Sequence, residues 1–466
     1  MEFRRSSRSE EKVKRPSSTT TEPALTVLFS SKPTEEAGGL TDTFIILRPA
    51  MLPITPGLTI FLLLLAVHSV WSSSPQEPKA PGAPQSEISS LHHPTWTLGL
   101  ELYRSLRADG SQTNTLISPL LLANSLLALG GGAKGSTAGR FHNLLKITKD
   151  ENAVREALTD ALKSVSKANA TSFTLHSSSA LFTKQAPKLE KIFRDNLQSQ
   201  FGVQHVALED GKKHDVMETL QSWAKVGMGG EETAALNQGL ETKAGAMMLA
   251  NALHFKGFWD RGFDLDNQDL RNFLGTKYTK VPLMHRSGIY RHFEDMENMV
   301  QVLELDLSEG HASIVLLLPF HVESLARLDR LLTLEQVEKW LEKLNSTSMA
   351  LSLPKTKLSS MVNLEKQLGS LGLEGVWNET SADFSAVSSL GKGKLHLAAV
   401  LQWTSLELDQ ESGSKDGVYE DEHVEKPKLF YADHSFIILV RDNSTGALLM
   451  IGALDQTEGA AIHDEL

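Results

Sequence analysis

Leu429 to Val440 reads LFYADHSFIILV. The right half, from Phe436, is a run of β-formers suited to a buried strand. The left half sets Asp433 and His434 beside Tyr431, directly ahead of that run. A charge in such a place is costly without a partner. Side chains alternate along a strand, so Leu429, Tyr431 and Asp433 share one face. Phe430 and Ala432 then point the other way, toward the core. In one reading the first three form an exposed row. In the other, Leu429 and Tyr431 pack under a neighbouring loop and Asp433 pairs internally with a Lys or Arg. Alternation alone admits both.

The flanking sequence supplies the rest of the pattern. Ala447 to Ile451 is a second apolar strand, and Asp442-Asn443-Ser444-Thr445-Gly446 ahead of it carries hairpin turn chemistry. Met247 to His254 and Met349 to Leu353 have strand composition. Order is expected to begin near Thr95, where Leu98, Leu102 and Leu106 recur at helical spacing. Ser118 as N-cap and Pro119 at the first helical position open a second helix, closed by Gly130 to Gly132. Thr333 opens a capping box with Gln336, ahead of a face made of Leu334, Val337, Trp340, Leu341 and Leu344. Long helices mixed with unevenly spaced strands, without regular alternation, indicate an α+β fold. No repeat and no second domain stands out.

Composition narrows the function. The chain has 466 residues, a formal net charge of −11 and no cysteine. Net acidity argues against a nucleic-acid binder, whose affinity comes from cationic neutralisation of phosphates. Without cysteine there are no disulfides, thiolate metal sites or cysteine nucleophiles. The chain lacks a G-x-S-x-G elbow and an H-E-x-x-H helix, and its 16 histidines are scattered. GGGAKGST, from Gly130 to Thr137, has Lys134 ahead of Gly135 and follows a helix, which is the wrong order for a phosphate loop. It reads as a helix end and a turn. No enzyme, cofactor or metal is expected.

The ends carry addresses. From Met51 the chain reads MLPITPGLTIFLLLLAVHSVWSSS, whose short apolar centre fits a signal peptide at residues 51–74. Residues 1–50 read as an upstream extension, and 75–94, rich in Pro, Ser and Gln, as a flexible leader. A folded domain is expected over 95–458 and a tail over 459–466. The terminal His463-Asp464-Glu465-Leu466 is a receptor-read signal for retention in the endoplasmic reticulum. Sequons at Asn169, Asn345, Asn378 and Asn443 suit that lumen.

Several stretches together resemble one family. Asn114 to Pro119 with Leu129 to Thr137, Leu249 to Trp259 (LANALHFKGFW), Phe430 to Phe436 and Leu449 to Gly452 resemble serpin signatures, in serpin order, from about residue 95 to 455. The resemblance implies three β-sheets, about nine helices and an exposed reactive-centre loop. Pro427 to Asp442, His321 to Leu332 and the terminal signal are further similar to clade H, the colligin group of collagen-specific chaperones of the endoplasmic reticulum. That likeness implies binding of triple-helical procollagen at Gly-X-Arg sites, a retention-signal receptor as second partner, and a monomer with no nucleic-acid or membrane partner. It assigns collagen binding to Asp433, Tyr431 and Leu429, with the aspartate taking a collagen arginine, and more loosely to Arg271 and Ser352. Release in acidic compartments falls to histidine, with His434, His285 and His321 as candidates. Phe320 stands where that group carries another histidine.

A protease-trapping serpin inserts its cleaved loop into a sheet as a new strand. Past a hinge at Glu407 to Glu411, the loop here reads SGSKDGVYEDEHVEK, from Ser412. Either strand register buries charge: Asp416 and Glu420 in one, Lys415 and Asp421 in the other. A non-inhibitory protein is therefore expected. The alternatives are a protease inhibitor and a resident serpin with a client other than collagen.

Overall fold

The computed structural model describes residues 93–110, 113–148, 150–184, 188–208, 216–236, 240, 243–264, 266–388, 393–411, 424–459 and 461. These belong to one compact unit, Ala83–Leu466. The upstream extension, the signal segment, most of the leader, loop residues 412–423, Leu265 and the terminal tetrapeptide lie outside the described residues.

Nine α-helices lie among the described residues: α1 Thr95–Asp109, α2 Pro119–Gly130, α3 Gly135–Leu144, α4 Glu151–Ala168, α5 Lys191–Phe201, α6 Val216–Gly227, α7 Ala326–Leu331, α8 Leu334–Glu342 and α9 Glu365–Leu368. The strands are β1 Thr115–Ile117, β2 Phe173–Lys184, β3 Val203–Leu208, β4 Ala246–Gly257, β5 Gln268–Leu274, β6 Tyr278–Asp295, β7 Val300–Asp306, β8 Ala312–Pro319, β9 Asn345–Pro354, β10 Thr356–Asn363, β11 His396–Leu408, β12 Lys428–Tyr431, β13 Phe436–Asp442 and β14 Leu448–Leu454.

One sheet has the order β10-β11-β4-β2-β3. Its central strands β11 and β4 run parallel and pair directly, from His396 against Ala246 to Glu407 against Lys256. The other strands form a nine-stranded network, β1-β14-β13-β8-β7-β6-β9-β12, with β5 added on β6. The long β6 pairs with β9 over most of its length and with β7 only at its end. One strand thereby links two of the three expected sheets.

Local sequence explains the boundaries. Ser118 Oγ accepts from Leu121 N, and Pro119 opens α2 as its composition predicts. Thr333 Oγ1 accepts from Gln336 N at the start of α8, whose Val337, Trp340 and Leu341 are buried. Asp442 Oδ2 accepts from Thr445 N at 2.8 Å in the β13–β14 turn, and Gly446 closes it at φ 71°. GGGAKGST ends α2 as expected, but a further helix, α3, begins within it at Gly135. Gly, Ser and Thr are weak helix formers, so its opening carried no helical signal.

A polar knot stands in the core between α1, α7 and the end of β14. Arg107 meets Asp329 at 3.0 Å and Asp455 at 2.6 Å, with all three side chains at most 12% exposed. Tyr103 Oη donates to Asp329 at 2.7 Å. Burial pushes the Asp455 carboxyl up, and the Arg107 guanidinium pulls against that. Breaking a buried pair leaves uncompensated charge. Arg107→Ala should therefore cost about 3–5 kcal/mol of folding free energy, read from urea unfolding midpoints at constant slope.

Candidate functional site

The quoted stretch hangs on the edge of the larger sheet. β12 pairs in parallel with β9, placing Leu429 beside Ala350 and Tyr431 beside Ser352. β9 pairs on its other side with β6, placing Ala350 beside Ser287 and Ser352 beside His285. Two rungs result, Leu429–Ala350–Ser287 and Tyr431–Ser352–His285. Leu429 is 69% and Tyr431 38% exposed, while Phe430 and Ala432 are fully buried. The exposed-row reading holds for these two residues.

Asp433 reaches the same end by a different route. β12 stops at Tyr431, although Ala432 N still donates to Ser352 O at 2.9 Å. Asp433 lies past the strand, and its carbonyl accepts from Leu274 N of β5 at 2.7 Å. Its Oδ1 meets Nδ1 of His434 at 2.8 Å, so its described internal partner is neither Lys nor Arg. The Asp433 side chain keeps 27% exposure, while that of His434 keeps 7%. His434 Nε2 faces Pro319 O at 2.9 Å. A carbonyl only accepts, so Nε2 carries a hydrogen.

The far side of the rung holds a second chain of polar contacts. Arg271 donates from Nε to Asp269 Oδ2 at 2.7 Å, and His285 Nε2 meets Asp269 Oδ1 at 3.0 Å. His285 Nδ1 meets Ser352 Oγ at 2.9 Å. The Arg271 bond, then that of His285, holds the Asp269 carboxyl below the usual carboxylate range. Burial pushes the Tyr431 hydroxyl up, and Arg271 opposes this. Of the residues singled out from sequence, Leu429, Tyr431, Asp433, Arg271, Ser352, His285 and His434 therefore converge. His321 is exposed two positions past Pro319, in none of these contacts. Asp269 was missed. Its only signal was its i, i+2 placement before Arg271, which sets both on one strand face.

The hinge of the expected loop is clamped. Lys256 Nζ lies 3.3 Å from Glu407, 3.3 Å from Asp409 and 3.0 Å from Glu411. Lys355 Nζ meets Asp409 at 2.8 Å. Backbone amides of Phe263 and Trp259 donate to Gln410 O and Glu411 O, each at 3.0 Å. Burial alone would lower the Lys256 ammonium; Glu411, Glu407 and Asp409 more than reverse that and hold it above the ordinary value. Among the described residues, no cluster of three His, Cys, Asp or Glu side chains could hold a metal. No described helix is long and apolar enough to cross a membrane. A cavity of about 830 Å³, lined by Leu106, Asn363, Lys366 and Thr457 among others, shares no residue with the face.

Comparison with known proteins gives one answer. Residues 95–456 match the family model described as Serpin (serine protease inhibitor). Serpin H1 of Mus musculus is 34% identical over 413 residues, covering 87% of this chain and 98% of the relative. Serpin H1 of Gallus gallus is 32% identical over 408 residues, covering 87% and 99%. Among solved structures, uncleaved ovalbumin aligns with a TM-score of 0.71 at 21% identity, covering 78% of this chain and 99% of that one. A thyroxine-binding globulin complex aligns with a TM-score of 0.69 at 22% identity, covering 80% and 99%.

The two faces of β12 are separable by mutation. Phe430→Ala should cost about 3–5 kcal/mol, as an aromatic deleted from a packed core. Leu429→Ala and Tyr431→Ala should each stay within about 0.5 kcal/mol in the same urea titration.

Proposed function

The chain belongs to the serpin family, and from that premise we propose that it is a non-inhibitory, collagen-binding chaperone of the endoplasmic reticulum lumen. The observation that carries this reading is the exposed Leu429–Tyr431 pair beside a carboxylate whose side-chain partner among the described residues is a neighbouring histidine. A triple helix is a rigid rod with glycine at its axis and all other side chains outward. An apolar platform suits its prolines. A carboxylate can hold an arginine through two parallel hydrogen bonds. Likeness to clade H supports the same assignment, and the signal segment with the terminal His463-Asp464-Glu465-Leu466 supports the compartment. Of the sequons, Asn169, Asn345 and Asn378 are exposed and suit a glycan. Asn443 suits one less, since it is half-buried as well as bonded to Ser313 and Gly310; Asn169, bonded at both side-chain atoms to Leu175, stays exposed.

Acid release follows from hydrogen-bond inventory. Neutral His434 has one N–H, and Pro319 O takes it at Nε2. Nδ1 then sets a lone pair against the Asp433 carboxylate, so the 2.8 Å contact belongs to the doubly protonated ring and opens in the neutral one, which frees the carboxylate for a ligand arginine. Protonation adds a hydrogen at Nδ1 and gives Asp433 an internal, charge-assisted partner in competition with the ligand. Protonated His285 likewise donates at both nitrogens, so Ser352 Oγ must accept from it. Asp269, with its folded value depressed, keeps its contribution above the ordinary carboxylate range and loses it only at lower pH. A switch between about pH 7 and 5 therefore belongs to histidine.

The charge that loop insertion would bury, at Asp416 and Glu420 or at Lys415 and Asp421, supports the absence of protease trapping. Trypsin cleavage within 412–426 should leave the thermal unfolding midpoint unchanged. A large rise, or a protease complex that survives boiling in detergent, would establish an inhibitor instead.

A triple-helical peptide with one Gly-Pro-Arg triplet tests the collagen reading. Asp433→Asn should weaken binding about 30-fold or more, as for a truncated charge pair. Unchanged affinity sinks the assignment, and capture of another lumenal client without procollagen favours a different chaperone role. His434→Gln keeps a neutral donor for Pro319. It should flatten the difference in affinity between about pH 7 and about pH 5.5.

A further inference from the structure

Ile289 of β6 is an apolar side chain 51% exposed. It pairs with Ser348 of β9, one rung beyond Ser287–Ala350–Leu429. Because residues two apart on a strand share a face, Ile289 lies on the same side as Ser287 and His285. The inner face of these rungs is closed by Arg286, Met349, Leu351 and Phe430, all buried. Tyr431, Leu429 and Ile289 thus stand on three successive rungs of one outward face.

We propose that Ile289 is a further contact of the collagen-binding face and sets sequence preference about two triplets away from the anchoring arginine. The inference rests on the collagen reading. It adds that the rod lies along β9, from Asp433 toward Ile289. Strand geometry fixes the spacing. Four residues at about 3.3 Å separate the Tyr431 rung from the Ile289 rung, about 13 Å. Asp433, two residues past Tyr431, extends this to about 20 Å along β9, and the two-strand step from β12 to β6 adds about 10 Å sideways, about 22 Å in all. A polyproline-type chain rises about 3.1 Å per residue, so that reach spans about seven residues, a little over two Gly-X-Y triplets. The occupant is the same rod because Ile289 continues, rung for rung, the face that the rod's arginine and prolines would meet. An isoleucine there favours an apolar residue, proline above all, over a charged one.

The test uses the full chain and triple-helical peptides with one Gly-Pro-Arg triplet. In a peptide series, Asp replaces the proline two triplets to one side of the arginine or to the other. The unaltered protein should lose roughly tenfold in affinity for one of these peptides and little for the other. Ile289→Lys should reverse the order, binding the Asp-bearing peptide more tightly than the all-proline one. Ile289→Asp should weaken the all-proline peptide roughly tenfold without moving the unfolding midpoint. If Asp433→Asn loses the arginine peptide while both Ile289 variants bind every peptide as the unaltered protein does, this inference fails alone. A lowered unfolding midpoint with affinity retained assigns Ile289 to packing within this chain and overturns the inference as well. If the unaltered protein does not hold the arginine peptide, the collagen reading falls and this inference with it.

Discussion

The parallel pairing of Lys428–Tyr431 against β9 decides what the molecule presents outside. Phe430 stands beside Leu351 and is fully buried. Strand alternation then leaves Leu429 and Tyr431 no choice but the outer face. A slip of one residue would expel Phe430 and bury Tyr431 with Leu429. Burying the Phe430 ring stabilises the observed register by about 1.5–3 kcal/mol, and Ala432 and the all-buried β13 continue the inner face behind it. Two exposed apolar side chains at a sheet edge are thus held there by core packing of their immediate neighbours.

Much of this was legible in the sequence. The faces of residues 429–432, the β13–β14 hairpin with its Asp442 turn, and the caps of α2 and α8 all follow from local rules that the structure obeys. What escaped was set by distance along the chain. Asp269 gains its importance from His285, which reaches it only because β5 folds back on β6. Lys256 and the hinge carboxylates are separated by about 150 positions and meet through the β4–β11 register. Local patterns specify alternation and caps. They do not specify which rung of one strand meets which rung of another.

Asp433 shows the limit most clearly. Alternation places it with Leu429 and Tyr431, but the strand ends before it, so period two has no authority there. The early end of the strand also has a chemical consequence. Within a strand, adjacent residues point to opposite faces and side chains at i and i+1 do not meet. Past Tyr431 that constraint lapses, and Asp433 and His434 bond directly at 2.8 Å. The carboxylate can then keep outward exposure while the imidazole, seated on Pro319 O, is buried.

Under the proposed collagen reading, the break couples recognition to protonation. Had the strand continued, its register would have set residue 433 opposite Pro354 and Leu283, neither of which carries a side-chain donor. Off the strand, it meets His434 of the next position, while His285 on the Tyr431 rung answers to Asp269. The two imidazoles each face a different carboxylate, His285 across β9 from Tyr431 and His434 three residues past it. The Arg271 bond, then that of His285, holds the Asp269 carboxyl below the usual carboxylate range. Protonation at either ring alters what the face offers, at Asp433 on one side and Ser352 on the other, without displacing the apolar platform between them.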